Sequence, residues 1–101
     1  MGQLRLSFTA MRALDVLAHQ KSLTAAAQEL NVTPSAVSQL ISTLERRLGV
    51  ALVERGKARL TLTDAGKRYA RALHAAFRKI DQATERLAKE SSSNRLFPAS
   101  S

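Results

Sequence analysis

The sequence predicts a mainly α chain: three short helices, a two-stranded β wing and one long closing helix. Three observations carry that expectation. Apolar residues recur at three- and four-residue spacing in separate stretches. Thr33-Pro34 is a strong helix start, because threonine accepts a free amide of the first turn while proline occupies a position where no amide is missed. Two short β-prone runs flank Gly56, which permits a tight turn.

In residues 7–20, Phe8, Met11, Leu14 and Leu17 form one stripe with Ala10 and Ala18 beside it, giving the first helix. Ser22 or Thr24 caps the second, in which Ala25, Ala26, Ala27 and Leu30 let a neighbouring backbone approach closely, and Asn31 tolerates the left-handed turn that ends it. The third helix runs from Pro34 to Leu48, with Val37, Ile41, Leu44 and Leu48 facing the core and Gly49 as its stop. Its opposite face carries Ser35, Gln39, Ser42 and Arg46, polar and without an acidic residue. Residues 50–53 and 59–62 are the expected wing strands, joined by a basic tip. Thr63 caps the last helix at Asp64, which continues to about Glu90 and would be roughly 40 Å long at ~1.5 Å per residue. Along it Tyr69, Leu73, Ala76, Ile80, Ala83 and Leu87 alternate at spacings of four and three, a heptad-type seam that needs another helix to cover it.

With 101 residues the chain is one domain plus an appendage. No apolar run exceeds residues 50–53, far short of the ~20 residues of a membrane helix or the ~7 of a signal segment, so no membrane partner is expected and the location is read as cytoplasmic. The chain has no cysteine, which removes disulfides, lipidation and thiolate metal sites. His19 is spaced to pair with Asp15 on the same helix, and His74 lies beside the seam; neither has metal-ligand company in the sequence, so no metal or cofactor is expected. No serine, histidine and acid stand at a spacing that suggests a nucleophile, a base and an orienting group, and no substrate pocket is evident, so catalysis is not expected.

Charge is more informative. Residues 46–79 hold ten basic side chains against Glu54 and Asp64, so this third of the chain carries the entire net +8 while the remainder balances six against six. Such concentration points to a polyanionic partner. Two helices joined by a short turn, the second with a polar outer face, followed by a basic hairpin, spell a winged helix-turn-helix.

At this point the sequence resembles the N-terminal region of LysR-type transcriptional regulators. The resemblance is carried by Ala36-Val37-Ser38 within the stretch 22–41, by Leu44-Glu45-Arg46-Arg47-Leu48-Gly49, and by Leu60-Thr61-Leu62-Thr63-Asp64-Ala65-Gly66. It spans about residues 8–90. Val53 stands where the family usually has phenylalanine, and Leu40 replaces a common polar residue; both bear on packing. The resemblance implies a bacterial regulator whose linker helix dimerises and which normally continues into a larger effector-binding domain, so this chain is expected to be a piece of a longer protein. The expected organisation is a winged helix-turn-helix over residues 1–63, a linker and dimerisation helix over 64–90, and a flexible tail or cloning remnant over 91–101.

Groove chemistry then distributes roles on double-stranded DNA. Pro34 can touch a thymine methyl, and Ser35, Ser38, Gln39 and Ser42 can reach base edges or phosphates, with Gln39 as the favoured adenine reader. Thr33 and the first-turn amides suit a phosphate, Arg46 a backbone contact, and Arg55, Lys57 and Arg59 a cationic wing along the backbone or minor groove. A homodimer through the Tyr69–Leu87 seam predicts an inverted-repeat target. Two alternatives stand beside this: a coiled-coil interaction protein with incidental basicity, and a non-specific nucleoid-type or RNA binder, which 4% aromatic residues would leave short of stacking platforms.

Overall fold

The computed structural model describes residues 6–56 and 60–94. Its order is α1 (Phe8–Gln20), α2 (Leu23–Leu30), α3 (Pro34–Leu48), β1 (Val53–Arg55), β2 (Leu60–Leu62) and α4 (Asp64–Asn94). The mainly α winged helix-turn-helix followed by a long helix is therefore the observed architecture.

Each short helix is opened by a side-chain cap. The hydroxyls of Ser7, Ser22 and Thr33 accept from the amides of Ala10, Ala25 and Ala36 at 3.2, 3.2 and 3.1 Å, each satisfying one amide the helix cannot. Ser22, not Thr24, caps α2. The stops are left-handed residues: Lys21 at φ 59°, Asn31 at φ 64° and Gly49 at φ 70°, whose amides turn back to carbonyls of the helix just ended.

The core lies where α1 crosses the other helices. Leu14, Val16 and Leu17 of α1 meet Ala26 and Ala27 of α2, Val37, Ile41 and Leu44 of α3, and Ala70, Leu73 and Phe77 of α4. Small alanines on α2 let that helix sit close, and the apolar stripe read on α3 faces inward with Leu48 only half-buried.

The wing departs from expectation at its first strand. Residues 50–52 are not in the sheet; pairing begins at Val53, with Val53 opposite Leu62, Glu54 opposite Thr61 and Arg55 opposite Leu60, antiparallel. The reason is competition for backbone groups. The amide of Val50 turns back to the Glu45 carbonyl, and the Glu45 carboxylate accepts from the amides of Leu52 and Val53 at 2.8 and 3.1 Å, so this stretch is tied to the end of α3. Thr63 fastens the other side: its amide donates to the Leu52 carbonyl at 3.0 Å, its hydroxyl donates to the Ala51 carbonyl at 2.7 Å, and the same oxygen accepts from the Gly66 amide at 3.0 Å as the cap of α4.

Helix α4 extends to Asn94, four residues beyond the expected end, because no glycine or proline interrupts it there and adding a residue to an existing helix costs little. The seam expected along it is divided. Leu73 is 8% exposed and belongs to the chain's own core, and Tyr69 packs half-buried against it, so these two do not stand free for a partner. The inward face of α4 is Ala70, Leu73 and Phe77, which shares Leu73 with the heptad pattern and then diverges from it. Past Phe77 the helix leaves the globule, and Ile80 and Leu87 are 47% and 65% exposed.

Candidate nucleic-acid interface

Capping fixes the exposed end of α3. Thr33 spends its hydroxyl on the Ala36 amide, Pro34 begins the helix, and no acidic residue occupies the first turn, so the positive end of the helix dipole is unopposed. Thr33, Pro34, Ser35 and Gln39 are all exposed, as is Arg46 a turn or two further on, whereas Ser38 and Ser42 are half-buried. Glu45, the one acid of α3, turns its carboxylate toward the Leu52 and Val53 amides. The exposed α3 face thus offers hydroxyls, an amide and a guanidinium without a carboxylate among them.

Arg55 lies on the wing strand β1 and also touches α3. It reaches from β1 across α3, donating from Nη1 to the Ser38 hydroxyl at 3.0 Å and from Nη2 to the Ser42 hydroxyl at 3.1 Å. Ser38 and Ser42 are thereby held by the wing as acceptors while each keeps its own O–H to donate. Arg46 donates to the Thr43 hydroxyl at 3.2 Å within α3. The other two wing cations, Lys57 and Arg59, lie outside the described residues. The structure therefore brings Ser38, Ser42 and Arg55 into one cluster and leaves Pro34, Ser35 and Gln39 displayed beside it. Arg55 docking on serines seventeen and thirteen residues earlier follows from the strand register, a signal that charge counting does not contain.

The histidines also depart from expectation. His19 does not pair with Asp15; its Nε2 lies 3.0 Å from Glu29 Oε1, which also accepts from Gln20 Nε2 at 2.7 Å, and these two bonds hold the Glu29 carboxyl below the usual glutamate range. Asp15 is buried, with His74 Nδ1 at 3.0 Å from its Oδ1 and Arg12 at 3.7 Å from its Oδ2. Donor atoms of Asp15, His19 and His74 fall within 4.8 Å of one another, so the histidines do have ligand company in space. A cavity of about 530 Å³ opens beside them, floored by Leu17, Leu60, Leu62 and Ala70 and rimmed by Lys21, Lys67 and Arg71; the sequence had shown no pocket.

An outward polar helix after a three-residue turn, with a cationic strand laid across it, defines a winged helix-turn-helix module. Residues 8–67 match the model of the bacterial regulatory helix-turn-helix protein, lysR family, and the chain belongs to that family. Among relatives, the HTH-type transcriptional regulator y4mQ of Sinorhizobium fredii is 43% identical over 80% of this chain and 27% of its own length. The AhcY transcriptional activator HvrB of Rhodobacter capsulatus is 40% identical over 87% of this chain and 30% of its own length. The structure resembles that of Vibrio fischeri DarR in complex with DNA, with a TM-score of 0.71, 27% identity, and coverage of 87% of this chain and 30% of that one. These relatives are transcriptional regulators, not enzymes. The chain spans less than a third of the length of the curated relatives it matches. Among the described residues no helix is long and apolar enough to cross a membrane.

Proposed function

We propose that this chain is a sequence-specific double-stranded DNA-binding module of a bacterial LysR-type regulator, working in the cytoplasm as a homodimer on an inverted repeat and joined to an effector-binding domain. One observation carries the reading: the exposed end of α3 displays Pro34, Ser35 and Gln39 with no acidic side chain, beside an arginine delivered by the wing. Pro34 meets a thymine methyl and Gln39 pairs with adenine in the major groove, while Ser35 reaches a neighbouring base edge. Thr33 and the α3 N-terminus hold a phosphate. Arg55, with Ser38 and Ser42 as its seat, faces the flanking backbone together with Arg46, Lys57 and Arg59. Ala76, Ile80, Ala83 and Leu87, all exposed on α4, form the free part of the dimer seam, with Tyr69 at its edge. Two recognition helices then lie about one DNA turn, ~34 Å, or a multiple apart.

Selection of bound duplexes from a random pool, followed by footprinting and a salt titration, tests this. A selected inverted repeat preferred by ~10³ or more over random duplex, with both affinities falling as salt rises, is the expected result. Equal affinity for all duplexes would reduce the module to a non-specific binder, and no duplex affinity at all would leave the coiled-coil alternative.

A further inference from the structure

We propose that Asp15, His19 and His74 form a binding site for a divalent transition-metal cation of the zinc class, fastening α1 to α4. Asp15 and His19 stand one turn apart on α1, and His74 arrives from α4, 59 residues beyond Asp15. The three donor atoms lie within 4.8 Å of one another. In a tetrahedral site with bonds of about 2.0–2.1 Å, neighbouring donors are about 3.3 Å apart. Asp15 Oδ1 and His74 Nδ1 already stand 3.0 Å apart. Both imidazoles are exposed, so small side-chain adjustments that draw the donors together leave the core undisturbed.

The buried carboxylate supplies the rest of the argument. Asp15 is 3% exposed, and a charge so placed is paired or coordinates a metal. Its Oδ2 has Arg12 at the long distance of 3.7 Å, and the Arg12 guanidinium also sits 5.0 Å over the Phe77 ring, while Oδ1 is the oxygen directed at His74. A cation bound there is held by Oδ1 and by His74 Nδ1, which requires the imidazole tautomer that carries its proton on Nε2. Glu29, itself held by Gln20, contacts His19 Nε2 from the outer side and leaves Nδ1 for a cation, the kind of orienting bond that ligating imidazoles need. Two imidazoles and one carboxylate suit zinc and its transition-metal neighbours, whereas magnesium and calcium prefer all-oxygen shells. All three residues line the 530 Å³ cavity, which leaves room for a water as fourth ligand.

The test is thermal unfolding of the whole chain with Zn²⁺ or Mg²⁺, together with visible absorption of the Co²⁺-loaded protein. Zn²⁺ at about a hundredfold over its Kd is expected to raise Tm by roughly 10 °C, with no rise in Mg²⁺. Co²⁺ is expected to show the intense visible bands of a four- or five-coordinate site. His19→Gln and His74→Gln, at exposed side chains, each weaken Zn²⁺ binding at least about tenfold, and the pair together abolish it. An unmoved Tm, a Co²⁺ spectrum identical to that of the aqueous ion, or a Zn²⁺ effect that survives the double variant would each overturn the proposal. None of these readouts involves DNA, so their outcome is independent of the function proposed above.

Discussion

A β-carbon placed on Gly66 would stand 2.0 Å from the carbonyl oxygen of Leu52 and 2.9 Å from its carbonyl carbon. Both contacts are with backbone that Thr63 pins from the other side, so nothing flexible can give way. Gly66→Ala is therefore expected to cost about 3 kcal/mol or more in urea unfolding, at the upper end of overpacking effects. A loss under about 1 kcal/mol would mean that the Leu52 backbone and α4 can part without disturbing the rest. At this scale the sequence is legible where chemistry is local. Thr33-Pro34, Asn31, Gly49 and Thr63 act where their own side chains and neighbours dictate. The close approach at Gly66 and the Asp15–His74 contact are not local, since each depends on the angle at which α4 crosses residues placed by other elements.

Helices are legible as elements because each carries its own apolar period, whereas the start of the first strand is not, because its backbone partners are on another element. Glu45 reads as an ordinary surface glutamate, yet it draws the Leu52 and Val53 amides to α3 and thereby sets where pairing can start. The wing then delivers Arg55 to Ser38 and Ser42, a contact between elements that spacing alone does not encode. Arg55→Ala is expected to leave urea stability within about 1 kcal/mol, because the arginine is exposed. On the proposed function it should weaken operator and random duplexes alike, with a salt slope shallower by about one. Gln39→Ala should instead flatten the base preference at one position, at about 1–3 kcal/mol, with the slope kept. Exchange of these two phenotypes would swap the roles of reader and anchor. Helix α4 has its own reporter in Tyr69, the only tyrosine in a chain without tryptophan. Burial pushes its phenol above the ordinary value. Since the folded state favours the neutral phenol, this stabilisation is complete below the unfolded pKa of ~10 and is lost as pH rises through the folded one. Phenolate absorbance should titrate later in folded than in urea-unfolded chain, and coincident curves would place the ring in solvent.

On the scale of the whole molecule, α4 has two jobs that meet at Leu73. Its first half closes the globule through Ala70, Leu73 and Phe77, the last edge-on to Phe8 at 5.1 Å between ring centres. Its second half projects with Ile80 and Leu87 uncovered along one stripe, apolar surface that a second helix would cover. A strict heptad reading merges these faces because Leu73 satisfies both; only the packing of α1 reveals where one ends and the other begins. Substitutions separate them. Leu73→Ala should lower the stability of each subunit by about 2–5 kcal/mol, as a buried leucine does, whatever the oligomeric state. On the proposed function, Ile80→Glu with Leu87→Glu should leave the globule's core contacts in place, convert the proposed dimer to a monomer in sedimentation, and reduce operator affinity about a hundredfold by removing the tethered second half-site contact. Half-site binding should persist in that double variant, because α3 and the wing lie on the globule and not on the projecting helix. If the chain still sediments as a dimer with both glutamates in place, the subunits meet on another surface, and the half-site spacing drawn from α4 must be abandoned with it.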